Sequence, residues 1–109
     1  MVNDDQSIFR EIRRDIENLR RHISIIESLL KEQPQGIIRI SQETGMPRHK
    51  IRYSLRMLEN DNIILASKEG AIISPEFIGS KDRILEESDR VVEEISDLNQ
   101  SLRNMLSRK

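Results

Sequence analysis

ISQETGMPRHKIRYSLRMLE, residues 40–59, is the stretch on which the fold turns. Its first half reads as the end of a short helix that stops at Gly45. Met46 and Pro47 make a tight turn. Pro47 suits the first position of a following helix, because its missing N–H would go unused there. In that second helix Ile51, Leu55 and Leu58 recur at spacings of four and three, which places them on one buried stripe. The other side carries Arg48, His49, Lys50, Arg52, Tyr53 and Arg56, and no acidic residue falls between Met46 and Leu58. A short helix, a glycine turn and a second helix with one apolar and one cationic side compose a helix-turn-helix unit.

This run resembles the helix-turn-helix core of prokaryotic winged-helix transcription regulators, especially the archaeal ones. The downstream segment looks like their two-stranded wing: DNIILAS (61–67), the turn Lys68-Glu69-Gly70, then AIIS (71–74). The likeness covers residues 26–78. Ser41 stands where an alanine is common in that family, and both are small. Asp61-Asn62 stands where a glycine usually closes the recognition helix, and Asn62 can adopt the left-handed conformation. The wing loop is short, with Lys68 its only cation and Glu69 beside it.

The resemblance implies a mainly α fold with a small β-wing and a recognition helix, 47–59, in the major groove of double-stranded DNA. It implies DNA contacts from Arg48, His49, Lys50, Arg52, Tyr53 and Arg56, with Lys68 joining from the wing. Residues near the start of such a helix reach deepest, so His49 and Arg52 are expected at base edges. Arg48, Lys50, Arg56 and Lys68 are expected at phosphates. Tyr53 either stacks on a sugar or base or packs against the wing.

Composition sets the bounds. A chain of 109 residues makes one domain, or one small domain with helical extensions. Without cysteine there is neither a disulfide framework nor a Cys-based zinc site. No apolar run approaches the ~18 residues of a membrane span. No apolar leader segment opens the chain, so a cytoplasmic location is the default expectation. Charged residues at 34% and aromatics at 3% suit exposed helices with a narrow apolar stripe rather than a large core.

The net charge of −1 conceals a concentration. Residues 1–33 hold six Lys/Arg and seven Asp/Glu, residues 34–80 six and five, residues 81–109 six and seven. Four of the six cations of the middle block, Arg48, Lys50, Arg52 and Arg56, fall in one helix. Phosphate attraction acts through the local field, so such a patch binds DNA even on a nearly neutral chain.

The flanks carry a second signal. Between residues 4 and 33 there is neither Gly nor Pro. Phe9, Ile12, Ile16, Leu19, Ile23, Ile26 and Leu30 alternate spacings of three and four, a heptad seam. Asn3 is placed to cap this helix, with Asp4 and Asp5 in the first turn and Gln6 three residues on; Pro34 and Gly36 end it. Such a helix would be ~45 Å long. Ile25 and Leu29 lie off the seam and are expected to cover the central core. His22 sits beside the seam and reads as a surface histidine.

After Ser80, a candidate cap, Ile84, Ser88, Val91, Ile95, Leu98, Leu102 and Met105 form a second seam, widened by Leu85, Val92 and Leu106. A stripe of that breadth suits a multi-helix bundle. Ser88 and Asn99 are polar in or beside it and can set register. Two long helices flanking a winged helix resemble the layout of MarR-like regulators, which dimerise through their terminal helices.

The expected organisation follows. Residues 1–33 are an N-terminal coiled-coil dimerisation helix whose end doubles as the first helix of the winged helix. Residues 34–79 are the DNA-binding domain, and 80–109 the C-terminal dimerisation helix. Dimerisation falls to Phe9, Ile12, Ile16, Leu19 and Ile23, and to Ile84, Val91, Ile95, Leu98 and Leu102. The expected partners are double-stranded DNA and a second copy of the chain, with no membrane and no cofactor or metal; whether a small molecule is sensed is open. Catalysis finds no support: there is no Cys, the two His lie in separate elements, and no Gly-rich phosphate loop or nucleophile motif is present. Two other readings compete with a homodimeric transcription regulator. One is a winged-helix protein-interaction module of a general transcription or chromosome-organising factor. The other is a coiled-coil adaptor with a structural centre. Neither needs the cation cluster.

Overall fold

The computed structural model describes residues 7–108. The chain is mainly helical with one small two-stranded antiparallel sheet. Its elements run α1 (Arg10–Lys31), α2 (Ile37–Thr44), α3 (Arg48–Asn60), β1 (Ile64–Ser67), β2 (Gly70–Ile73), α4 (Pro75–Gly79) and α5 (Lys81–Leu106). Two compact units divide at Phe77 and Ile78.

The core of the first unit is small and drawn from five elements. Ile25 and Leu29 of α1, Ile40 of α2, Ile51 and Leu58 of α3, Ile64 of β1 and Ala71 and Ile73 of β2 are buried together. Ile26, Ile37, Met46, Leu55, Ile63 and Phe77 pack around them. Burying each large side chain contributes roughly 1.5–3 kcal/mol, so α1 is part of this fold and not an appendage. Ile25 and Leu29 serve as expected. Ile26, assigned to the seam, instead leans on the core.

α1 is shorter than its periodicity predicts. At 22 residues it spans about 33 Å, not ~45 Å. Ser7–Phe9 form a turn, in which the Phe9 amide donates to Ser7 Oγ at 2.9 Å, so Phe9 precedes the helix at the cap position. The expected cap at Asn3, with Asp4, Asp5 and Gln6, lies outside the described residues. At the other end the helix stops at Lys31 because Pro34 excludes helical backbone just before it and because its last carbonyls are taken. The Gln35 Nε2 donates to the carbonyls of Ser28 at 2.9 Å and Glu32 at 2.6 Å.

Gln35 also anchors the hairpin. Its backbone exchanges two hydrogen bonds with Ala71, at 3.1 and 2.8 Å, and the amide of Ile73 donates to Gln33 Oε1 at 2.6 Å. β1 and β2 pair from Ile64↔Ile73 to Ser67↔Gly70, leaving Lys68 and Glu69 as a two-residue loop. Gly70, at φ 130°, passes so close to the Gln35 backbone that a Cβ there would lie 2.4 Å from its carbonyl carbon.

The second unit centres on α5, 26 residues or about 39 Å. Ser80 occupies the cap position as expected, but its hydroxyl caps nothing; its carbonyl accepts from the Ile84 amide at 3.0 Å. No α5 side chain is buried. α4, a five-residue turn of helix, has no periodic pattern long enough to announce it. Among the described residues, no helix is long and apolar enough to cross a membrane.

Candidate nucleic-acid interface

The turn from α2 to α3 is built by small polar residues. Gly45 takes φ 74°, where a Cβ is costly, and its amide closes α2 on the Ser41 carbonyl at 2.9 Å. The Ser41 hydroxyl donates to the Met46 carbonyl at 2.7 Å, and the Met46 amide donates to Thr44 Oγ1 at 3.3 Å. Ser41 therefore does more than fit where alanine fits; it ties the turn shut.

Pro47 is the cap residue of α3 (φ −62°, ψ 144°) rather than its first helical residue. Its fixed φ serves either position, and its carbonyl accepts from the amides of Lys50 and Ile51, both at 3.1 Å. No side chain caps this end and no acidic residue lies in the first turn. The positive end of the helix dipole thus coincides with the cationic residues. α3 closes on Asn62 at φ 59°. The Ile63 amide reaches the Leu58 carbonyl at 2.9 Å and the Asn62 amide reaches Glu59 at 3.0 Å, the double bond pattern of a Schellman ending.

The buried back of α3 is Ile51, Ser54 and Leu58, with Leu55 beside them. Arg48, His49, Lys50, Arg52, Tyr53 and Arg56 are all exposed. At ~100° per residue, His49, Arg56 and Tyr53 point most directly away from the core. Arg48 and Arg52 turn toward α2 and line one open groove with Ile38, Arg39 and Gln42. Arg39 is already neutralised, by Glu32 at 2.6 Å and Glu43 at 3.1 Å. Among the described residues, none of the four α3 cations is in a salt bridge. Lys68 is exposed at the hairpin tip, where Ser67 Oγ donates to the Gly70 carbonyl at 2.6 Å and holds the loop.

α1 meets α3 through polar contacts that periodicity did not reveal. Arg21 Nη1 donates to Ser54 Oγ at 3.3 Å. Tyr53 stacks on His22 of α1, rings 6.4 Å apart and 27° from parallel, so its neighbour is α1 and not the wing. His22 is half-buried, not the surface residue its seam-flanking position implied. Its Nδ1 is buried without a hydrogen-bond partner among the described residues. Burial, and then the Arg21 charge, lower its pKa from the ordinary 6.5, while Asp61 pulls it upward. Ile38 was also missed, although its place beside Ile37 and Ile40 could have flagged it: three apolar residues in four cannot all face one core.

No group of three or more potential metal ligands comes together among the described residues. Comparison with known protein families, curated proteins and solved structures finds no match to this chain.

Proposed function

We propose that the protein is a winged helix-turn-helix DNA-binding protein of the cytoplasm, acting as a homodimeric transcription regulator. In this reading α2 and α3 are the helix-turn-helix, α1 supplies the first helix, and β1–β2 are the wing. The observation that carries it is the surface of α3. Arg48, His49, Lys50, Arg52 and Arg56 are exposed on one helix whose N-terminal turn holds no acid and whose cations, among the described residues, are in no salt bridge. Such a surface attracts phosphates and presents donors to guanine edges. Dimerisation is supported by the exposed apolar stripes of α1 and α5, with Ile12, Ile16, Leu19 and Ile23 on one and Val91, Ile95 and Leu98 on the other all exposed.

The test is selection of binders from random duplexes, followed by salt titration of the selected sites. The expected result is an inverted repeat with half-sites about one helical turn apart or a multiple of it. A variant with Ala at Arg48, Lys50, Arg52 and Arg56, shown by circular dichroism to be folded, should lose binding. Binding equal to wild type would remove α3 as the reader and favour a protein-interaction module.

A further inference from the structure

One flank of the exposed α1 seam carries cations, and one flank of the exposed α5 seam carries acids at the same spacing. Residues 10–21 hold five Arg and three acids; residues 81–97 hold seven acids and three cations. The arrangement is more telling than the totals. In the heptad frame of α1, Arg13 and Arg20 follow the seam residues Ile12 and Leu19. In the frame of α5, Glu87 and Glu94 precede Ser88 and Ile95. Each pair is seven residues apart. In two parallel helices, those are the positions that face each other across the seam.

We infer that in the dimer α1 of one copy lies parallel to α5 of the second copy, with Arg20 beside Glu94 and Arg13 beside Glu87. This rests on the dimeric reading above and specifies its contacts. The register stacks Ile12 on Val91, Ile16 on Ile95, Leu19 on Leu98 and Ile23 on Leu102. Of these, Ile12, Ile16, Leu19, Ile23, Val91, Ile95 and Leu98 are exposed in the single chain. A shift of one heptad either way keeps only one of the two ion pairs. Antiparallel pairing sets Asp15 against glutamate and Arg20 against an aliphatic flank. Two α1 helices together would match Asp15 with Arg20. They would leave α5 to pair with itself, which puts Glu87 against Val92 and Glu94 against Asn99. Of these pairings, the mixed one alone sets Arg13 and Arg20 both against glutamates, with Asp15 beside Asn99 on the other flank, and twofold symmetry makes it twice. The apolar layers drive the association; the exposed ion pairs, weak singly, choose the partner.

The chain has no cysteine, so a Leu19→Cys chain and a Leu98→Cys chain each carry a single thiol. The two full-length variants are mixed, equilibrated and oxidised. The expected product is the mixed disulfide dimer, in excess over either self-linked species. A predominance of self-linked Leu19→Cys dimer overturns the pairing. So does the absence of any cross-link while wild type is a dimer by light scattering. A monomeric wild type defeats the dimeric reading itself. In a second arm, R20E and E94R should each raise the dimer dissociation constant roughly tenfold, and R20E combined with E94R should restore it to within about threefold of wild type. Failure to restore it overturns the inference.

Discussion

Arg21 of α1 donates its Nη1 hydrogen to Ser54 Oγ, 3.3 Å away on the wholly buried back of α3. The helix that carries the cationic surface is thereby indexed against its neighbour by a polar contact beside the His22–Tyr53 stack. Removing the donor should cost more than removing the acceptor. Arg21→Ala strands a buried hydroxyl, at about 1–3 kcal/mol, whereas Ser54→Ala should cost under ~1 kcal/mol because a half-buried guanidinium finds water. Urea unfolding of the two single variants and the double variant measures this. A double variant that loses the full sum of the two single losses would mean the bond contributes nothing to the α1–α3 junction.

His22 makes stability depend on pH in a defined direction. With the His22 pKa below 6.5 in the folded chain, the unfolded chain binds more protons between the two values. The group has no effect above 6.5, and stability falls as pH drops from there through the folded value. His22→Phe keeps a ring against Tyr53 and removes the titration. The variant should gain stability relative to wild type in thermal unfolding as pH falls from 7.5 to 5. A constant gap would refute the assignment.

Two backbone positions should rank in a set order. Gly70→Ala meets the Gln35 backbone and a φ of 130° at once, and should cost at least ~2 kcal/mol. Asn62→Gly relieves a left-handed residue at φ 59° and should be neutral or stabilising by up to about 1 kcal/mol. Chemical denaturation of both reads the order directly.

If α3 reads DNA, its side chains divide by their place along the helix, those near its start reaching deepest. Lys50→Ala and Arg56→Ala should weaken all duplexes alike and lower the salt slope by about 1 each. Arg52→Ala should cost ~1–3 kcal/mol and relax preference at one position per half-site. The groove it shares with Arg48 adds a rival outcome. A uniform loss for Arg52→Ala, without relaxed preference, would place it on a phosphate beside Arg48. Fluorescence anisotropy across a panel of single-base operator variants separates the two.

Ile16→Asp with Ile23→Asp puts charge into the α1 seam and should cost a desolvated interface several kcal/mol. Light scattering should show twice the chain mass for wild type and the single-chain mass for the variant. Because neither residue belongs to the core of the first unit, the variant should remain helical by circular dichroism.

The sequence by itself determined the order of elements. Helical period, Gly45, Pro47, Asn62 and the spacing of the hairpin are local signals, read within a turn or two of chain, and α2, α3, β1, β2 and α5 lie where those signals put them. It also placed Ile25 and Leu29 in the core and gathered the cations of α3 on one exposed side. Tertiary structure decided what local pattern cannot carry. α1 ends at Lys31 because a glutamine four residues further on caps its carbonyls. Ser54 on the buried stripe of α3 finds its partner in Arg21, Tyr53 stacks on His22, and Arg48 and Arg52 share a groove with α2. Each of these joins residues distant in sequence or sets how neighbouring helices lie together. Periodicity reports which side of a helix is apolar; which polar side chain it meets there is settled only when the helices pack.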